Sequence, residues 1–383
     1  MVSCVRACYA RRTLFTCRTL NSGMKRSLLV VLVLVFAVGF AFSNGLAEDY
    51  QAYSEKLAKA DESSLTFWYE DSYAKNRLVE FMQAITDKNS PDYIPVEYRI
   101  AVFDFDGTLF CETDLDYFDH LLLAYRVLED AEYRDLASDF EKEVADKIVT
   151  LSQTSSPVGG LDIDHGIAVA TAFKGFTPEE FDAYIQEFKK QPMPHYTGMN
   201  RGDGYYLPML QVIEYLKAND FLVYVVSGTD RFIVRGAINN SPLELPPWQI
   251  IGSDERTMAT NQGDTDGLKY TFSSDDEVIT AGEFIIKNLK MNKVSVIVQE
   301  IGQQPVLSFG NSTGDAAMAN YVITDNRYRS LAFMLCCDDT EREHGNIDKA
   351  NDMYELCAAN NWVPVSMKND WTTIYGDGVT YNK

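Results

Sequence analysis

The chain has 383 residues, of which 46% are hydrophobic and 23% charged, the make-up of a globular protein long enough for one large core and an inserted second domain. Its formal charge is -22 at pH 7, and beyond residue 47 only 28 basic residues face 56 acidic ones. Such a surface repels nucleic acid and anionic membrane, so an enzyme acting here on an anion needs locally placed cations or a metal.

Residues 1–47 hold six basic residues and no acid. Lys25-Arg26 precedes 15 apolar residues, Leu28 to Phe42, a run short for a membrane span and suited to a signal peptide starting at Met24. Gly45-Leu46-Ala47 supplies small residues for cleavage before Glu48. The expectation is a secreted or periplasmic protein with no membrane attachment after cleavage; a retained anchor is the alternative. Cys4, Cys8 and Cys17 lie in this extension. Cys111, Cys336, Cys337 and Cys357 remain, without Cys-x-x-Cys metal spacing, and one bridge from Cys336 or Cys337 to Cys357 fits an oxidising compartment.

Residues 48–98 read mainly as helix, with Leu65, Trp68, Tyr69, Leu78, Phe81, Met82 and Ile85 on an apolar face that packs on the main domain. A buried strand follows, Arg99 to Asp104, running into Phe105-Asp106-Gly107-Thr108. Residues 112–195 lack strand alternation. Helical periods over Tyr117–Leu128, Tyr133–Val149 and Pro178–Phe188 mark an inserted helical cap, with Pro192-Met193-Pro194 as the return linker. The helix Pro208–Asn219 leads to a second buried strand, Phe221–Val226, which ends at Ser227-Gly228-Thr229; residues 231–239 are again helical. Trp248–Gly252 reads as a short strand, 253–282 as a hairpin, and Val294–Ile301 as a helix. A third buried strand, Pro305–Phe309, ends at Gly310-Asn311-Ser312-Thr313-Gly314-Asp315, and Leu331–Leu335 is a fourth. Residues 339–359 read as helix, with a charged, exposed stretch from Glu341 to His344 near their start. Strands alternating with helices predict an α/β doubly wound parallel sheet. The core domain is then 99–111 with 196–383, and the cap is 112–195.

Three of these strands end in polar clusters: Asp104 with Asp106, Ser227 with Thr229, and Asn311 with Asp315. In a parallel sheet all three emerge at one edge, where ligands bind. Carboxylate and amide oxygens gathered without Cys or His ask for a hard cation, Mg²⁺.

Asp-Phe-Asp-Gly-Thr-Leu at 104–109, the strand ending in Ser227, a following lysine and Gly-Asn-Ser-Thr-Gly-Asp-Ala-Ala-Met at 310–318 together resemble the four motifs of the haloacid dehalogenase (HAD) superfamily. The helical insert resembles the cap of its phosphoserine-phosphatase-like branch. The resemblance covers about residues 98–338. It implies an aspartyl-phosphate mechanism in which Asp104 is the nucleophile and Asp106 the acid and base, its carbonyl also binding Mg²⁺. It further implies phosphate binding by Ser227, Gly228 and Thr229, and a lysine bridging nucleophile and phosphate. Lys287, Lys290 and Lys293 all precede the right helix; Lys293, immediately before its apolar run, is the choice and Lys290 the second. The metal set would be Asp104, Asp106, Asn311 and Asp315, with Asn311 where the family often has an aspartate. Asp106 favours a phosphatase over a dehalogenase.

The expected function is hydrolysis of a small phosphomonoester. Alternatives are transfer of the phosphoryl group to an alcohol, or a binding protein that has lost catalysis. Glu112, at the first turn of the cap, stands near the place where phosphoserine phosphatases contact the substrate amine. With Tyr117, Phe118 and Tyr125 it suits an amine-bearing ester such as phosphoserine, phosphoethanolamine or phosphocholine. Arg126, Arg201, Arg231 and Arg235 are candidate anion contacts or surface ion pairs.

Overall fold

A computed structural model of the chain describes residues 61–112, 117–154 and 159–383. The expected signal peptide, its cleavage site before Glu48, and Cys4, Cys8 and Cys17 lie outside the described residues. Among the described residues no helix is long and apolar enough to cross a membrane.

The stretch before the first strand is less helical than its apolar spacing predicts. It holds helix α1 (Tyr73–Thr86), capped by the Ser72 side chain, and two short 3-10 turns. Pro91 and Pro95 keep the segment after α1 from continuing as helix. Leu65, Trp68, Leu78, Phe81, Met82 and Ile85 are buried as the apolar face requires, whereas Tyr69 is 45% exposed. Strand β1 (Ile100–Phe103) is buried along its whole length.

The cap consists of α2 (Phe118–Ala124), which runs into a π-helical turn at Tyr125–Glu129, then α3 (Asp139–Thr154), α4 (Leu161–Ala172) and α5 (Pro178–Lys189). The predicted start of α3 at Tyr133 is too early, and the helix begins at Asp139, because Asp130 to Ala137 is taken up by turns. Helix α4 escaped the sequence reading: Ile167-Ala168-Val169-Ala170 is apolar on nearly every side, so no helical stripe stands out. The Thr177 hydroxyl and Glu180 carboxylate form a capping box that starts α5.

The core resumes with β2 (Tyr196–Thr197), α6 (Leu207–Ala218), β3 (Leu222–Asp230) and α7 (Arg231–Ile238). Next come β4 (Ile250–Ala259), β5 (Val278–Ile286), α8 (Met291–Val296) with a π-helical turn through Ile301, β6 (Leu307–Gly310) and α9 (Ala316–Ile323). Strand β7 (Leu331–Cys336), α10 (Ile347–Asn360), β8 (Val363–Ser366) and β9 (Thr380–Tyr381) finish the chain. The main sheet has the order β5-β4-β3-β1-β6-β7-β8, parallel except for the antiparallel β4–β5 pair. The chain works outward from β1 on one side, then returns to β6 on the other. The topological switch point therefore falls beside β1, at its carboxyl end.

The predicted hairpin is real, but its strands run from Ile250 to Ile286 and both belong to the main sheet. Strand β5 is covered by the cap: Gly175 N–H donates to Thr280 O and Thr280 N–H to Phe176 O, both at 2.9 Å. Strand β8 was not foreseen, because Val363-Pro364-Val365 is short and carries a proline, which an edge strand tolerates. Residues 339–346 are not helical. Within them Glu343 is buried, 2% exposed, and accepts from the Tyr375 hydroxyl, while His344 Nδ1 shares a 2.6 Å hydrogen bond with the Tyr381 hydroxyl. The stretch expected to be exposed thus anchors the tail around the buried Trp371 and Ile374. The bridge to Cys357 is not formed; Cys336 and Cys357 sit as thiols in an apolar cluster with Met334, Met353 and Trp362.

Across the middle of the sheet one register row reads Phe103, Phe309, Phe333 on β1, β6 and β7. Their rings stack with centroids 4.4 and 4.7 Å apart, all three buried. This row lies directly before Asp104 and Gly310, so it fixes the spacing of the two strands that carry the site. Phe309→Ala should cost about 3–5 kcal/mol in chemical denaturation, with the loss of a large buried aromatic. A cost within experimental error of zero would show that the stack does not set the strand spacing.

Candidate active site

Asp104 leaves β1 with its N–H donating to Phe309 O, so the backbone ladder to β6 continues through it. Gly107 then turns the chain at φ 74°, and a Cβ there would come within 2.0 Å of the Asn311 amide. Only glycine both adopts this conformation and lets the β6 loop approach. The turn closes on itself, with Gly107 N–H donating to Phe110 O at 2.7 Å.

Lys293, on α8, is the central cation. Its Nζ donates to Asp104 Oδ1 and to Asp315 Oδ1, each at 2.6 Å, and the side chain is 1% exposed. Burial works against its charge, but the two carboxylates outweigh that and hold the ammonium above the ordinary lysine range. Lys290 is exposed at the start of α8, so geometry separates the two candidates. Lys287 also lines the cavity. Asp315 spends its other oxygen on the loop: Oδ2 accepts from the N–H groups of Asn311 and Ser312, both at 3.1 Å. Both of its oxygens are thus engaged by protein donors. This places Asp315 as the residue that holds Lys293 and shapes the loop, rather than as a metal donor.

The Asn311 amide oxygen stands 3.1 Å from the Asp106 carbonyl oxygen and 3.3 Å from Asp104 Oδ2, with the Thr108 hydroxyl at 3.5 Å. Turning the amide over would let its NH₂ donate to both. With its oxygen turned to them instead, the amide completes a group of three hard oxygens, the donor type that suits Mg²⁺. The residues present therefore fit that ion through Asp104, the Asp106 carbonyl and Asn311.

Asp106 Oδ2 accepts from the Thr229 hydroxyl at 2.7 Å, while its Oδ1 is buried with no hydrogen-bond partner. Burial, then the nearby Asp119, Asp104 and Glu112, push its carboxyl well above the usual carboxylate range. Burial rather than the neighbouring charges is thus the leading cause. Asp104 is pushed up to about 7 by burial and by Asp315, against the pull of Lys293; a cation beside it favours the ionised form.

Gly228 and Thr229 line the cavity, but Ser227 is fully buried beneath them and accepts from Thr229 N–H at 3.0 Å. Nor does Ser227 cap α7; the Asp230 carboxylate does, accepting from Phe232 and Ile233 N–H. Glu112 lines the cavity already paired: Lys349 from α10 donates to both its oxygens at 2.6 Å, and the Tyr117 hydroxyl to one at 3.1 Å. Tyr117 faces the cavity, whereas Phe118 and Tyr125 pack on Phe188 inside the cap. The four arginines stay away from the cavity. Arg126 is enclosed by Tyr133, Phe173, Phe176 and Tyr184, Arg201 lies over Phe188, Arg231 pairs with Asp254 and Glu300, and Arg235 bonds carbonyls of Pro247 and Ile250. Sequence reading missed Asp119, His120 and Asp162 of the cap as lining residues, and Lys349 as the partner of Glu112. Asp119-His120 carried a signal, two adjacent metal-type ligands on a short helix; Lys349, 237 residues from Glu112, carried none.

No protein-family model and no curated protein matches the chain. Among solved structures, it is similar to a conserved protein of unknown function from Anaerococcus prevotii, at 13% identity over 79% of this chain and 93% of that one, with a TM-score of 0.49. It is similar to cytosolic 5'-nucleotidase IIIB bound to cytidine, at 10% identity over 77% and 86%, with a TM-score of 0.45. A phosphoserine phosphohydrolase-like protein from Francisella tularensis matches at 14% identity over 68% and 99%, with a TM-score of 0.36. The reading of the chemistry rests on the side chains described above.

Replacing Lys293 by Met leaves two buried carboxylates facing each other without their cation, and the loss of one partner from such a set costs about 3–5 kcal/mol. Urea denaturation of Lys293→Met should show that loss, and adding Asp315→Asn should restore part of it. A double variant less stable than the single one would mean that the lysine does not act by neutralising this pair.

Proposed function

We propose that the protein is a Mg²⁺-dependent phosphomonoesterase of the HAD type, acting through an aspartyl-phosphate and working outside the cytoplasm. The observation that carries this reading is the division between two carboxylates two residues apart. Asp104 is bonded to the buried Lys293 ammonium and stands beside Asn311 and the Asp106 carbonyl, whereas Asp106 is partnered by Thr229 on one oxygen only and pushed well above the usual carboxylate range by burial. A nucleophile and an acid made from the same residue type need this difference in environment.

Asp104 attacks phosphorus, and Lys293, bonded to its Oδ1, keeps the carboxylate in place and offers charge to the phosphoryl oxygens. The proton on Asp106 goes to the leaving oxygen; Thr229 fixes the carboxyl so that Oδ1 is the atom available. Asp106, now ionised, takes a proton from the water that attacks the aspartyl-phosphate, and inorganic phosphate leaves. The Gly228 and Thr229 backbone forms the floor under the phosphoryl group. Bound Mg²⁺ would supply charge neutralisation for that group and would be held by Asp104, the Asp106 carbonyl and Asn311. Asn311 brings no charge to the metal, so a Mg²⁺ affinity below that of an all-carboxylate set is expected.

The leaving group would face the cap. The cavity is lined by six carboxylates and two lysines, with Tyr117 beside Glu112. That balance supports a small ester with an amine on its alcohol, such as phosphoserine, phosphoethanolamine or phosphocholine. Because Lys349 already neutralises Glu112, Asp119 and Asp162 are the stronger attractors of an amine.

Phosphate release from a panel of esters, with and without Mg²⁺, tests the chemistry. Asp104→Asn should lose roughly 10⁴-fold or more of kcat, as removal of a covalent nucleophile does. Asp106→Asn should lose about 10²–10⁴-fold, the worth of general acid–base catalysis. Unchanged turnover in Asp104→Asn would exclude the covalent route. For the substrate class, amine esters should exceed sugar phosphates in kcat/KM, and Asp119→Asn should narrow that gap. Sugar phosphates outranking every amine ester would reject the amine reading while leaving the hydrolysis intact. Product analysis with an added alcohol separates hydrolysis from transfer.

A further inference from the structure

On the cap side of the cavity, α2 and α4 bring together three side chains that take no part in the bond-making and proton-transfer steps. Asp119 and His120 are adjacent on α2, and His165 comes from α4. All three are buried, and one ligand atom from each lies within 4.8 Å of the others. The rings of His120 and His165 stand 4.4 Å apart, and His165 Nδ1 is 3.9 Å from Asp119 Oδ2. That is too far for a hydrogen bond. His165 is 1% exposed, and neither of its ring nitrogens has a hydrogen-bond partner.

An imidazole sealed in with two unsatisfied nitrogens is costly, since each buried polar atom without a partner carries its full desolvation penalty. A hydrophobic residue would pack there at no such cost. The pair of imidazoles with one carboxylate differs in kind from the all-oxygen group at Asp104. Nitrogen donors select zinc-like ions over magnesium.

We propose that Asp119, His120 and His165 form a second metal site, in the cap, for a divalent transition-type cation of the Zn²⁺ or Co²⁺ class. Two His and one Asp are three protein ligands, the number at which zinc keeps a further position open. Small side-chain rotations bring the three atoms to the separation of about 3.4 Å that a tetrahedral site with 2.0–2.1 Å bonds requires. Asp119 and His120 also line the cavity of the candidate active site, so the proposed site borders the space where a leaving group would lie. The site goes beyond the phosphatase reading and does not depend on it. The two readings meet at Asp119, where a bound dication and a substrate amine compete for one carboxylate.

The test uses the chelator-stripped full chain in excess Mg²⁺, which fills the all-oxygen group. Co²⁺ is then added, and both the stoichiometry by native mass spectrometry and the visible d–d absorption of imidazole-bound Co²⁺ are read. One Co²⁺ per chain is expected. Removing a ligand should weaken binding at least as much as removing an outer-shell partner, by about tenfold or more, in both His120→Ala and His165→Phe. His165→Phe should also melt at a higher temperature than the metal-free wild type, because it replaces the orphaned imidazole by an apolar ring. Asp104→Asn, which would lose hydrolysis, should bind Co²⁺ as the wild type does. No Co²⁺ bound by the wild type under excess Mg²⁺, or equal binding by wild type and both histidine variants, overturns the proposal. So does binding that is lost in Asp104→Asn alone, which would assign the ion to the hydrolytic site.

Discussion

The buried ammonium of Lys293 between Asp104 and Asp315 is the contact on which the rest of this structure hangs. Three carboxylates converge at the carboxyl edge of the sheet, from β1 and from the loop after β6, and two of them take opposite sides of one lysine. Without a fixed positive charge they would repel one another and the strand ends would splay. The lysine itself could not stay charged in so buried a place without them. Each partner's ionisation is conditional on the other's, and the phenylalanine row beneath holds both strands at the spacing this mutual dependence needs.

The same constraint explains why two aspartates of one short motif behave differently. Asp104 points toward the lysine and Asn311; Asp106, also at the cavity wall, turns one oxygen to Thr229. Nothing in side-chain identity separates them. Both are buried, and the difference lies in their partners: Lys293 bonds Asp104, whereas Asp106 has only the Thr229 hydroxyl.

Much of this could be read from residue order, because strand ends in a parallel sheet must align. Buried runs ending at Asp104, Ser227 and Gly310 were sufficient to place three polar clusters on one edge, and Lys293 was favoured by standing directly before an apolar run. The orientation of individual side chains within those clusters could not be read that way. Ser227 and Thr229 are two residues apart on one strand, yet the first lies under the floor of the cavity and the second faces it. Asp315 looked like a metal ligand because its chemistry allows it, but local N–H groups claimed its second oxygen. Pairings across long separations were silent as well. Lys349 reaches Glu112 from α10, and His165 meets Asp119 from a helix whose apolar surroundings hide any periodicity. Edge strands such as β8 failed for a different reason: a short, proline-bearing strand has too little pattern to stand out.

The pairing between the cap and β5 has a kinetic side. Thr280 exchanges backbone hydrogen bonds with the Gly175–Phe176 stretch, and its hydroxyl donates to Phe173 O at 2.6 Å, so the cap is stitched to the sheet far from its own stem. A lid hinged only at its stem can swing wide; one sewn down along a second seam must break that seam or leave it closed. Opening the cap away from the sheet would then have to break the bonds that Thr280 makes to Phe173, Gly175 and Phe176, and that step would govern any motion of the roof.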